Sequence, residues 1–187
     1  MYADPSFPWP EIEGNHGQTT EFLHDDLPKT IPPTLSPYGD NWDMLWVGHC
    51  IMGFIDDTDV WVPHGRVVHY NDSSVPESQY LTYQLGNNNL RGRFPHHTRV
   101  VHHVGAGLCS TGYAITQQGA QRLLKRVGLE NANLPYDLLL REFCNGNRGH
   151  QTCLTVQPQL FEQHRRIGPF VCILIPLTLF DRNSRLT

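Results

Sequence analysis

The chain has 187 residues, of which 39% are hydrophobic and 17% charged, and 14 Lys and Arg against 18 Asp and Glu leave a net charge of −4. This length suits one domain with a real core, and the hydrophobic content excludes an intrinsically disordered chain. The basic residues form no long cluster, so nucleic acid is not an expected partner.

Residues 1–36 carry Pro5, Pro8, Pro10, Pro28, Pro32 and Pro33 among scattered charges with no sustained period. They read as an extended connector laid over a surface. Residues 1–10 lack the cationic head and apolar run of a signal peptide, so no route into a lumen is expected from the chain as written. After the turn YGDN, residues 43–49, DMLWVGH, form the continuous apolar run of a central strand covered on both faces. The loop at 53–63 contains Asp56, Asp57 and Asp59, and Asp57-Thr58-Asp59 spells a D-x-D that suits a hard cation. Any acidic loop produces that triplet easily, so a solvated loop is the expectation. Residues 66–70 repeat the strand pattern, and Asn71-Asp72-Ser73 is an N-glycosylation sequon, usable only in a lumen.

The stretch 99–124, RVVHHVGAGLCSTGYAITQQGAQRLL, organises the rest of the chain around it. Residues 99–104 form a β-branched strand bounded by Pro95, Gly105 and Gly107, and 112–116 form a second. The period then becomes helical, with Ala120, Leu123, Leu124 and Val127 on one face and Thr116 placed as N-cap. No capping box is present, and Gly128, preceded by Lys125 and Arg126, is expected to close the helix. The unit is strand, turn, strand, helix. His96, His97, His102 and His103 crowd this region, yet neighbouring strand residues point to opposite faces, so His102 and His103 cannot ligate one ion together. Surface or core-satisfied histidines are expected, with one at most facing a site.

Residues 134–144, LPYDLLLREFC, read as a helix begun through Pro135, with Leu139, Leu140 and Phe143 on its apolar side. Asp137 at its start is either an N-cap carboxylate or a general base, and the two are not exclusive. Residues 153–158, CLTVQP, are the last strand, with Glu162 and His164 beyond its C-terminal end, where clefts in open α/β sheets lie. Residues 170–180 are apolar but broken by Pro176, and about half the roughly 20 residues a membrane span needs. The five cysteines form no CxxC pair and no zinc spacing. Spacing alone leaves buried free thiols and two disulfides, Cys50–Cys109 and Cys144–Cys153, equally open.

Four ordered blocks, SPYGDNWDMLWVGHC at 36–50, GRVVHYNDSSVP at 65–76, CSTGYAITQQGAQRLL at 109–124 and CLTVQPQLFEQHRRIGP at 153–169, resemble the fungal branch of glycosyltransferase family 25. That family is named for lipopolysaccharide-biosynthesis enzymes and is related to collagen galactosyltransferases; the resemblance covers roughly residues 3–169. It implies an α/β fold of the GT-A, Rossmann-like type, of which residues 37–169 would be the C-terminal part. It implies inverting transfer of a sugar, a hexose such as galactose, from a nucleotide-sugar donor to a glycan or glycoprotein acceptor in the ER or Golgi lumen. A divalent metal, Mn²⁺, would serve the complete enzyme. By the same resemblance Asp137 and Glu162 are the catalytic candidates, His49, Tyr113 and Gln157 face the acceptor, His164 is a metal ligand, and the cysteines favour the two disulfides.

The chain departs from the family pattern in three places. The family's acidic EDD and DWD motif does not occur, so the donor half is expected to be missing. Ile51 stands where the family carries Gly after the His-Cys pair, and it would strain the turn if that glycine served a positive φ. Beyond Pro169 the pattern stops, and residues 170–187 read as a foreign apolar tail. A catalytically inactive fragment or glycan-binding module is the alternative, while strand geometry argues against a histidine-based metal hydrolase.

Overall fold

A computed structural model describes residues 21–27, 32, 34, 36–55, 65–81, 90, 92–130, 133–145 and 151–162. Asp56, Asp57, Asp59, His164 and the apolar tail lie outside the described residues.

The described chain is mixed α/β, with six strands in one mixed sheet and two α-helices. The strands are β1 (Glu21–Leu23), β2 (Met44–Gly48), β3 (Arg66–His69), β4 (Arg99–His103), β5 (Gly112–Ile115) and β6 (Cys153–Gln157). The helices are α1 (Gln117–Leu124) and α2 (Tyr136–Cys144). The spatial order is β1-β3-β4-β6-β2-β5, with β1 parallel to β3, β6 parallel to β2, and the other pairs antiparallel. The apolar run DMLWVGH becomes β2, held between β6 and β5, but it is not covered equally on both faces: Met44, Trp46 and Gly48 are buried while Leu45 and Val47 are half-buried, whereas every residue of β6 is buried.

Within the expected connector, Glu21–Leu23 joins the sheet as a parallel edge strand. Three residues are too few to show a period, and their pairing rests on backbone bonds to β3. β4 and β5, consecutive in sequence, are separated in the sheet by β6 and β2. The loop between them is pinned instead to the end of β2: Leu108 N–H donates to Ile51 O at 2.9 Å and Cys50 N–H donates to Leu108 O at 2.9 Å. Ile51 therefore sits in a bridge with Leu108 and does not hold a positive φ; Cys109 does, at φ 62°.

Both helices cover the same face of the sheet. Met44 and Trp46 from β2 and Cys153 from β6 pack with Leu123 of α1 and with Leu140, Phe143 and Cys144 of α2. Thr116 caps α1 as expected, its hydroxyl accepting from Gly119 N–H at 3.0 Å. Gly119 and Leu123, four residues apart, form the inward stripe, so Leu124, about 100° further round, stands 70% exposed instead of joining the core. The helix does not close at Gly128; it widens into a π-type turn over Lys125–Glu130, which keeps Val127 against the core. A cystine joins Cys144 at the end of α2 to Cys153 at the start of β6, Cα atoms 5.5 Å apart. Asp43, just before β2, is ion-paired with Arg122 of α1, whose Nη1 is shared between both carboxylate oxygens at 2.8 and 3.0 Å, and its Oδ2 also accepts Thr152 N–H at 2.9 Å. This buried carboxylate locks α1 to the sheet, a role its sequence position did not advertise.

Candidate functional site

β3 and β6 both run antiparallel to β4, and β6 runs parallel to β2, so the C-terminal ends of β2, β3 and β6 share one end of the sheet. Loops leaving parallel strands build clefts at such an end. Its anchor is Trp46, fully buried, whose indole N–H is shared between Gly48 O at 3.2 Å and Cys109 O at 3.0 Å. Cys109 is further tied by its cystine to Cys50, Cα atoms 5.3 Å apart. Those ties offset the roughly 1–2 kcal/mol that a left-handed non-glycine conformation costs.

Asp137 meets this loop. Its Oδ2 accepts Cys109 N–H at 3.1 Å while Oδ1 accepts Leu138 N–H at 3.0 Å. It is not the N-cap expected of it: Pro135 holds that place without a side-chain bond, and Asp137 is the second residue of α2. The carboxylate therefore joins a helix N-terminus to a loop held in a left-handed turn, and its negative charge faces the positive end of the helix dipole.

Beside it, Tyr113 of β5 and Tyr136 of α2 hydrogen-bond hydroxyl to hydroxyl at 2.7 Å. Tyr113 lies directly across from Trp46 and so shares the helix-covered face, at the open edge of the sheet. The two rings remain 37% and 43% exposed. Burial, followed by the bond to and charge of Tyr113, pushes the Tyr136 hydroxyl up to about 12. Tyr136 thus keeps its proton near neutral pH, and with one hydroxyl donating within the pair, the other is left to donate outward. Sequence reasoning missed Tyr136, although it directly precedes Asp137 at a helix start.

His49 and Gln157 are brought together elsewhere, in the interior, so among the described residues neither lines an open acceptor surface as expected. The reason is strand parity and burial: Gln157 closes a strand whose five residues are all buried. Its amide nitrogen bonds Met52 O and His102 Nε2, both at 2.9 Å. Because His102 Nδ1 lies 2.6 Å from His103 O, the proton is assigned to Nδ1, and Nε2 accepts from Gln157. Burial holds His102 down at about 3 and His103 at about 4, so of the two settings expected for them, surface or core, both take the core and are neutral there. His49 bonds Val156 O at 3.0 Å, and burial likewise lowers its pKa.

Glu162 is exposed and lines a separate cavity of about 100 Å³ with Ser74, Tyr80, Arg99 and Pro158. Arg99 is committed to structure there, donating to Asp72, to Pro158 O at 2.9 Å and to Ser74 Oγ at 3.0 Å. Burial would raise Asp72, but Ser74 and Arg99 outweigh it and hold the carboxyl at about 2.

Of the expected catalytic pair, then, Asp137 stands by the tyrosines, and it is not among the residues lining Glu162's cavity. Among the described residues no group of three His, Cys, Asp or Glu is placed to hold a metal ion. His164, the ligand the resemblance implies for Mn²⁺, lies outside the described residues. No helix among the described residues is long and apolar enough to cross a membrane. No family model, curated protein or solved structure matches this chain.

Proposed function

We propose that the chain forms the acceptor side of an inverting glycosyltransferase of the GT-A type, binding a glycan or glycoprotein hydroxyl beside Asp137. The observation that carries this reading is the carboxylate of Asp137, held by Cys109 and Leu138 N–H groups one residue along α2 from Tyr136, whose exposed side chain pairs hydroxyl to hydroxyl with Tyr113. Each oxygen of Asp137 spends one lone pair on an amide and keeps the other for a ligand hydroxyl. As that hydroxyl attacks the anomeric carbon, Asp137 takes its proton while the nucleoside diphosphate departs from the opposite face. The tyrosine pair donates to a neighbouring sugar oxygen and orients the ring. Parallel β2, β3 and β6, with the site at their C-terminal ends, suit the Rossmann-like half of such a fold.

Neither EDD nor DWD occurs in the sequence, so the reading assigns the nucleotide-sugar to residues other than these. Saturation-transfer NMR of the disulfide-intact chain with a panel of hexose-terminated oligosaccharides tests it. Ring contacts from a hexose are expected, lost in Tyr136→Ala, with no micromolar UDP-sugar binding by calorimetry in Mn²⁺. Tight UDP-sugar binding without any glycan contact overturns the proposal.

A further inference from the structure

The sequon Asn71-Asp72-Ser73 takes no part in the proposed sugar transfer, and its geometry is distinctive. Asn71 lies two residues past the end of β3 and is exposed, at φ 58°, a left-handed conformation that Asn tolerates better than most residues. Ser73 is exposed as well. Between them Asp72 turns inward. Its side chain is only 14% exposed, paired with Arg99, and its Oδ1 accepts both the amide and the hydroxyl of Ser74 at 2.9 and 2.6 Å. Its backbone is fixed too, N–H to His97 O at 2.9 Å and carbonyl to Val75 N–H at 3.0 Å, with Val75 buried beneath. The middle residue thus rivets the turn while the two residues an oligosaccharide transfer requires face solvent.

A second, independent observation concerns compartment. Cys50–Cys109 and Cys144–Cys153 are both oxidised, which is the mark of chains that pass through an oxidising lumen. N-linked transfer takes place there.

We infer that Asn71 is an N-glycosylation site of the folded protein. In the transfer, the Asn71 side-chain nitrogen attacks the anomeric carbon of a lipid-linked oligosaccharide. A C–N bond forms as the C–O bond to the lipid pyrophosphate breaks; the amide loses one proton, and the lipid pyrophosphate is the leaving group. The product leaves the native turn intact, because no hydrogen bond that fixes the turn uses the Asn71 side chain. The glycan stands at the same end of the sheet as Asp137, yet on the rim: β3 and β2 are three strand spacings apart, about 14 Å. It borders the candidate site without filling it. Glycosylation of Asn71 does not depend on the transferase reading.

The test is the full 187-residue chain carried into the secretory pathway of a eukaryotic cell behind a cleavable leader. Intact mass is read before and after peptide N-glycanase, which converts a glycosylated Asn to Asp. The expected result is one glycan, mapped to Asn71, on protein with both disulfides closed. Ser73→Ala should abolish it and Ser73→Thr retain it. Ser73→Ala is a cleaner variant than Asn71→Gln, because it leaves the left-handed residue alone. Disulfide-intact secreted chain without a glycan at Asn71 overturns the inference, as does a glycan confined to chain in which Cys50, Cys109, Cys144 or Cys153 reacts as a free thiol.

Discussion

Replacing Asp137 by Asn separates what the carboxylate does from what a merely polar group would do. Asn caps helices about as well as Asp, so from a capping role alone almost no change in stability is expected. The structure predicts otherwise. Asp137 offers an oxygen to each of two N–H groups, Cys109 at 3.1 Å and Leu138 at 3.0 Å. Asn has one oxygen, so whichever bond survives, its NH₂ faces the other N–H as donor against donor. Losing a hydrogen bond to a charged group costs about 1.5–3 kcal/mol. Removing negative charge from the first turn of α2 adds about 0.3–1 kcal/mol. Because Asp137 is only half-buried, the lower end applies: about 2 kcal/mol, or a melting temperature lower by about 4–8 °C for a chain of this size. The assay is urea unfolding under non-reducing conditions, followed by fluorescence of buried Trp46, together with hydrogen exchange at the Cys109 amide. Exchange should quicken because the Asp137 acceptor is gone. An unchanged midpoint with an equally protected Cys109 amide would refute the reasoning and leave Asp137 no role in holding the loop.

Gly119→Ala should destabilise, against the gain of up to about 1 kcal/mol that Gly→Ala brings in a helix. An added Cβ would sit 2.4 Å from Asp43 O, which already accepts Thr116 N–H, and relieving that overlap costs about 1–3 kcal/mol plus a weakened bond of about 1 kcal/mol. Gly128→Ala, with nothing within 4 Å of its Cβ, is the control, and a Gly119→Ala variant as stable as Gly128→Ala would sink the argument. Stability should also fall on acidification, in two windows. His102 and His103 are depressed to about 3 and about 4 by burial, so the unfolded chain binds more protons below 6.5 and stability is lost from there down to the folded values. At about 1.4 kcal/mol per unit for each group, two histidines cost about 4 kcal/mol between pH 6.5 and 5. Asp72, held at about 2, adds a further loss only below 3.8. Urea midpoints measured at pH 7.5 and pH 5 check this, and equal midpoints would mean that the histidines are not buried neutral.

The local elements of this protein were legible in its residues. β-branched runs punctuated by Pro and Gly marked β3, β4 and β6, the apolar run DMLWVGH marked a strand though not its half-buried second face, and Thr116 announced the start of α1. Alternation along β4 set His102 and His103 on opposite faces of the sheet, where both are buried. These features depend on interactions within a few residues, where side-chain type and period carry the information. The three-residue edge strand β1 was illegible for the converse reason, since it has no period and exists only because β3 offers a free row of backbone groups.

What only the tertiary structure decided is which of these pieces meet. Consecutive β4 and β5 are parted by two strands, because β2 and β6 insert between them and the intervening loop is drawn to the end of β2 by Cys50–Cys109 and Trp46. Asp137 could be placed at a helix start from sequence, but its second partner, the left-handed Cys109, lies 28 positions away, and the Tyr113–Tyr136 pair spans 23. The family resemblance set Gln157 and His49 against an acceptor, and the fold buries both. Their burial depends on which face each strand turns to the core, and that is set by pairing register, a property of two strands and not of either alone.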